Sequence, residues 1–340
     1  MKSLYSDLPR TFVLLTCCCF LIAACLASPL AQGAKDKDAK VSSGEADAVK
    51  KIESASDLTA KLKLAGEFTK KFAKSSLRPR VAQYLAEEVS TVNDPGQRLS
   101  YIESYNKLFT EASEQELLAP TLVDVYVRSS RVDDAFKLAA GALAKNPDDV
   151  TMLTQLGVAA ADQAQRGNLK YAAEGRQYSL KAIELIEADK KPAALAAAFW
   201  SDFKPRWLPK LYQSLGVIAL SSGDATEAQT RVQQSAALSP TDPYNYVILG
   251  VIANDVYQAL AKEYGAARAG AEKDAILKKV EAQLDQVIDI YAHAVALTDG
   301  KPEFKQLHDQ FLPDLENYYK FRKGSLDGLP QLIEKLKKTP

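Results

Sequence analysis

The side chains able to make or break bonds are few, and their spacing does not assemble them. Two histidines are present, His293 in the run Tyr291-Ala-His-Ala-Val and His308 between Leu307 and Asp309. Both fall in amphipathic helical stretches, where a packed or surface imidazole is the ordinary reading. Neither belongs to a His-Glu-x-x-His pair, which would set two imidazoles on one helical face around zinc. There is no Gly-x-Ser-x-Gly elbow and no phosphate-cradling glycine loop, and the segment from Gly265 to Gly270 reads as a break between helices. The carboxylate pairs Glu87-Glu88, Asp133-Asp134 and Asp148-Asp149 suit helix starts and wet faces. A general-acid role would need burial or a like charge to move a pKa, and nothing in the sequence signals either. All four cysteines, Cys17, Cys18, Cys19 and Cys25, precede residue 26, so no thiol remains beyond them for a zinc site or a disulfide framework. The expectation is a protein with no catalytic residues, no metal site and no cofactor. Both tryptophans lie close together, in Phe199-Trp200 and in Pro205-Arg206-Trp207-Leu208-Pro209. Trp200 and Trp207 read either as an exposed aromatic anchor for a partner, since Trp and Arg dominate interface energies, or as a long connector packed on the fold by its own rings.

The elements that must position these groups are helices. Of 340 residues, 47% are hydrophobic and 25% charged, enough apolar surface for packed cores. Alanine is abundant and β-branched residues do not run together, which favours helix over strand. Lys+Arg and Asp+Glu both number 43, so the net charge is zero; with no basic stripe, a nucleic-acid partner is not expected.

The N-terminus is set apart from the fold. Lys2 and Arg10 precede an apolar or small run over residues 11–24. That run is shorter than the about 20 residues a membrane span needs and has the pattern of a secretory leader. It closes on Leu21-Ile22-Ala23-Ala24-Cys25, an aliphatic residue, small residues and a cysteine. This resembles the bacterial lipoprotein box, which implies removal of residues 1–24 and acylation of the Cys25 thiol. Ordinary cleavage after Ala27 or Gly33 would instead release a soluble protein, and an uncleaved anchor is a further alternative. Residues 25–44, small and polar with a Lys35-Asp36-Lys37-Asp38 run, read as a flexible tether.

Beyond the tether the chain repeats. Leu215-Gly216 and Leu249-Gly250 are 34 residues apart. Between them come Tyr212, Gly223 at a turn, Ala228, Val232 and Ala236 on one apolar face, and Pro240 as a terminator. Gly216 and Ala228 let two helices approach closely, and Gly223 supplies a turn that a β-carbon would disfavour. Leu122, Tyr126, Ala135, Ala142 and Pro147 fall at matching offsets, followed by Leu153 and Leu156-Gly157. This pattern resembles the tetratricopeptide repeat superfamily, strongly over residues 116–250 and more loosely over 45–300. The resemblance implies an all-α fold of antiparallel helix-pair repeats stacked as a right-handed α-solenoid. The expected organisation is divergent helical repeats over 45–115, repeat units at about 116–149, 150–192, 209–242 and 243–300, and capping helices over 301–340. Within the last unit a helix is expected to about Glu263 and another from about Ala271 to Leu297. A helix over residues 304–321 contains Pro313, a candidate kink.

In that superfamily the first helix of each pair lines a groove. Carried onto this chain, the groove positions are Asp124 and Arg128, then Thr154, then Lys210 and Gln213, then Tyr244, Asn254 and Asp255. The lysine and asparagine with which one subclass grips a C-terminal carboxylate are replaced by Thr154 and Val158, and by Gln213 and Val217. The resemblances together imply a non-enzymatic protein-binding scaffold of the bacterial envelope, periplasmic and lipid-anchored to the outer membrane, with a protein or peptide partner. The alternatives are a binding module for a glycan or lipid, a self-associating array, and a soluble periplasmic or secreted form.

Overall fold

The computed structural model describes residues 41–192 and 197–338. The leader, Cys25 and residues 25–40 of the tether lie outside the described residues. Among the described residues every regular element is helical, with fifteen α-helices, one 3-10 turn and no strand. The chain forms two compact units that divide between Leu156 and Gly157.

The first unit begins with α1 (Ser43–Ser54), started by a capping box in which Ser42 and Glu45 satisfy each other's backbone. The last two residues of the expected tether are therefore helical. Asp57 caps α2 (Leu58–Lys71) and Asp94 caps α4 (Pro95–Leu108), whose Pro95 occupies the first turn where no amide hydrogen is needed. Between them lies α3 (Arg78–Ser90). The expected apolar faces meet in one core: Leu62, Ala65 and Phe68 of α2, Val81, Leu85 and Val89 of α3, and Ile102 and Tyr105 of α4. A short α5 (Ala112–Glu116) is pinned by Arg78, whose Nε donates to Glu114 at 2.6 Å and whose Nη2 donates to the Leu108 carbonyl at 3.2 Å. The pair α6 (Ala119–Arg128) and α7 (Val132–Lys145) pack on one another as the sequence predicts.

The helix α8 (Val150–Gln165) contains the division between the units. The second unit continues with α9 (Ala172–Glu187), α10 (Ala197–Ser221), α11 (Ala225–Leu238), α12 (Pro243–Ala266), α13 (Ala271–Thr298), α14 (Lys305–Lys323) and α15 (Leu329–Lys337). Successive helices from α9 to α14 pack side by side, and α15 folds back on α13. The predicted break between residues 265 and 270 separates α12 from α13, and Gly223, with φ of +87°, turns the chain between α10 and α11. Pro313 lies on an exposed turn of α14, which runs through it.

The connector expected around the tryptophans is corrected: it is the first half of α10, a helix that includes both Pro205 and Pro209. A proline inside a helix strips a donor from the carbonyl four residues earlier. Here those carbonyls belong to Ser201 and Pro205, both exposed, so water replaces the lost donor. Meanwhile Trp200 stacks on Phe203 at 5.7 Å and its Nε1 donates to Asp189 at 2.7 Å, fixing the start of the helix.

Close helix crossings depend on missing β-carbons. A Cβ at Gly175 would come 2.0 Å from Ala160 Cβ, and one at Gly216 would come 2.4 Å from Val232 Cγ2. Neither neighbour has a flexible end that could swing away. Gly141, exposed in the middle of α7, has nothing within 4 Å. Gly175→Ala is therefore expected to destabilise by about 1–3 kcal/mol through overpacking, whereas Gly141→Ala should stabilise by about 0.5–1 kcal/mol. Urea midpoints of the two variants against the parent chain check the opposite signs.

Candidate functional site

Spacing on α12 places Val251, Asn254, Asp255 and Gln258 at i, i+3, i+4 and i+7, one continuous face of the helix. On α14, Asp314 and Tyr318 are one turn apart. The two helices meet through Tyr318, whose hydroxyl donates to Asn254 Oδ1 at 2.6 Å, while Gln258 Nε2 lies 3.4 Å from both of those oxygens. Asn254 is only 2% exposed, so this bond satisfies an acceptor that water does not reach.

Beneath them lies Tyr291 of α13, 1% exposed. Its ring crosses α12 at Gly250, where a β-carbon would come 2.7 Å from Cε1. Its centroid is 5.9 Å from that of Tyr318 and 5.0 Å from that of Phe311, and Tyr257 meets Tyr318 edge-on at 5.7 Å. Aromatic pairs at such distances and tilts are favourable beyond the area they bury. The result is a rigid floor of rings and amides shared by three helices.

Two carboxylates stand at this floor. Asp255 and Asp314 make no ion pair and no hydrogen bond among the described residues. Desolvation alone pushes both carboxyls above the usual range, with no lysine or arginine pulling them back. Asp255 is nevertheless open to solvent. Burial, then the charges of Tyr318, Asp314 and Asp255, push the Tyr291 hydroxyl up.

Elsewhere charge is spent inside the fold. Asp124 is held by Arg98 and by Arg128. Asp285 receives a two-pronged contact from Arg322 at 3.0 Å, which holds its carboxyl below the usual range. Lys337 pairs with Asp299 at 2.6 Å.

The predicted groove residues are thus divided. In the first unit, Asp124 and Arg128 form that internal ion pair and Thr154 is buried with its hydroxyl unpartnered. In the second, Gln213 is buried and donates to Asp242 at 3.1 Å and to Asn245 at 2.9 Å, tying α10 to the start of α12. Lys210 lies over the Trp207 ring at 5.2 Å, and half-buried Tyr244 meets Phe304 edge-on. Only Asn254 and Asp255 belong to the face described above. Trp200 is buried and Trp207 half-buried, so the aromatic cluster packs on its own helix. Sequence reasoning missed Gln258, Tyr291, Asp314 and Tyr318. Gln258 had a signal, one turn beyond Asn254; the others meet α12 only through tertiary packing.

His293 stacks on Tyr246 at 5.0 Å, with Nδ1 2.9 Å from the Asp289 carbonyl. His308 lies 3.8 Å from Asp299. Two surface clefts are also present. One of about 340 Å³, between α11, α12 and α13, has walls of Gln229, Gln233, Gln283 and Gln286 over Leu249, Ile252 and Val256. The other, about 290 Å³, is lined by Leu312, Leu326, Leu329 and Ile333 beside α15.

Among known proteins, no family model matches the chain and no curated protein is similar to it.

The raised carboxyls carry a thermodynamic consequence. A carboxylate whose folded pKa lies above its unfolded value, about 3.9, costs stability as pH rises through that range. The tyrosines facing them stay neutral throughout. The double variant Asp255→Asn/Asp314→Asn is expected to resist urea better than the parent chain at pH 7, with the advantage vanishing near pH 3. Equal midpoints at both values would show that these carboxylates carry no desolvation.

Proposed function

We propose that the chain is an exported, non-enzymatic binding protein of the bacterial envelope, built as a tetratricopeptide-type array and held at the membrane by lipid on Cys25. The observation that carries the binding part is the α12–α14 face. Its two carboxylates are left unpaired over a rigid floor while the carboxylates of other helix contacts are consumed by arginines and lysines. Charge kept desolvated and unpaired reduces stability, a cost characteristic of sites that meet a partner. The export and anchoring part rests on the residues from Lys2 to Cys25. No described helix is long and apolar enough to cross a membrane, so in this reading the lipid supplies the attachment. The array, with its groove along first helices, rests on the 34-residue recurrence and is supported by the side-by-side helix packing.

A second reading, a glycan-binding module, has one observation in its favour. Glutamine amides walling the α11–α13 cleft over an apolar floor offer both donors and acceptors to sugar hydroxyls.

The faces can be told apart on neighbouring residues. Val256 lines the glutamine-walled cleft, whereas Asp255 is next to Asn254, which bonds to Tyr318 of α14. A photo-crosslinker at position 255 is expected to capture a protein in intact envelopes, and one at 256 is not. Capture only at 256 would move the interface to the cleft, and no capture at either would remove the protein-scaffold reading. For the anchor, Cys25→Ala is expected to abolish acyl labelling and shift the protein to the soluble fraction; an unchanged distribution would overturn lipidation.

A further inference from the structure

The cleft between α11 and α13 has a polarity that narrows its ligand. Gln229 and Gln233 of α11 stand on one side and Gln283 and Gln286 of α13 on the other, and its volume of about 340 Å³ suits a small ligand. Gln283 donates its amide nitrogen to the Ala253 carbonyl at 2.9 Å, which leaves its side-chain oxygen to accept. Gln229, Gln233 and Gln286 make no side-chain hydrogen bond among the described residues, so each keeps two donors and an acceptor. Gln229 is left so although it is half-buried.

The floor differs from the walls in kind. Leu249, Ile252 and Val256 fall at i, i+3 and i+7 on α12 and form one stripe. At the helical rise per residue that stripe is about 10 Å long, room for two sugar rings in line. Val256 is 44% exposed, a large apolar side chain left to water. Among the described residues no aromatic side chain lines the cleft, so a sugar has no ring face to stack on; the aliphatic floor instead takes a methyl group. The lining holds one charged side chain, Asp289, which is 62% exposed. No lysine or arginine lines it among the described residues, so an anionic sugar would meet no counter-charge.

We infer that this cleft binds an uncharged glycan of N-acetylated amino sugars, with the acetamido methyl on the α12 stripe and the amide and hydroxyl groups bonded to the glutamines. An acetamido group is part apolar methyl and part amide, and the cleft is an aliphatic floor bordered by amides. Burial of the methyl and pairing of the amide are both lost with a plain hexose. The inference rests on the glycan reading of this cleft and specifies the sugar.

The test is calorimetric titration of the full-length protein at pH 7 with N,N′-diacetylchitobiose and with cellobiose, which has the same rings and linkage but hydroxyls in place of the acetamido groups. Saturable binding of the acetylated disaccharide is expected, with cellobiose weaker by about tenfold or more. Gln233→Ala and Gln286→Ala, at exposed positions that leave the packing intact, should each weaken binding about threefold or more. Val256→Glu, also exposed, should abolish it, and Gln97→Ala, exposed on α4 of the first unit, should leave it unchanged. Equal binding of the two disaccharides overturns the acetamido assignment and leaves the glycan reading standing. Binding of neither, or binding unchanged by Val256→Glu, overturns the inference and the glycan reading of the cleft together. Capture of a protein by the crosslinker at position 256 would assign the cleft to a polypeptide and overturn the inference as well.

Discussion

The ring of Tyr291 lies across α12 at the one residue of that crossing with no side chain. With 2.7 Å between a would-be Cβ at Gly250 and the ring's Cε1, the ring and a methyl group cannot share the space. Because the ring occupies it, α13 sits close against α12, and Tyr318 and Phe311 of α14 pack on the same ring. The amide–phenol bond between Asn254 and Tyr318 and the edge-on contacts among the tyrosines follow from that single close approach. Gly157 against Ser179, Gly175 against Ala160 and Gly216 against Val232 apply the same device along the second unit. Packed interiors tolerate little volume change, so each of these crossings sets a register between two helices.

The way charge is distributed separates structure from site. In the first unit Arg78 bridges α3 to Glu114 and to the end of α4, and the Tyr105 hydroxyl lies 3.0 Å from the Glu114 carbonyl and 3.2 Å from that of Ala82. These polar groups each have a partner that also fastens a helix. Gln213, Asp242 and Asn245 do the same between α10 and α12. Asp242 is desolvated too, yet it receives the Tyr244 amide and the Gln213 side chain. Asp255 and Asp314 receive nothing from the protein. Their cost in stability has no return within the fold, which is why the face reads as a binding surface rather than as another fastening.

Helix α10 shows tertiary contacts overriding a local rule. Pro205 and Pro209 are strong signals for a break, and the sequence reading placed a connector there. The helix persists because the carbonyls that lose donors face solvent, and because the Trp200–Phe203 stack and the Trp200–Asp189 bond hold its first turns. The aromatic residues are spent on this, which leaves Trp200 buried.

The sequence by itself determined the helical class, the break between residues 265 and 270 and the close approach at Gly216. Those follow from local causes: 3.6-residue periodicity, glycines at a helix break, and Leu-Gly pairs 34 residues apart. It also singled out Asn254 and Asp255, as groove positions that the repeat resemblance implies. Only the tertiary structure decided that Gln213 is buried and bonded, that Asp124 is taken by two arginines, and that Tyr318 of α14 bonds to Asn254 of α12. Those residues are separated by tens of positions in the chain. Periodicity shows that a helix has a face, but what that face meets depends on how closely its neighbours can approach, and here that distance was set by the β-carbons that glycine lacks.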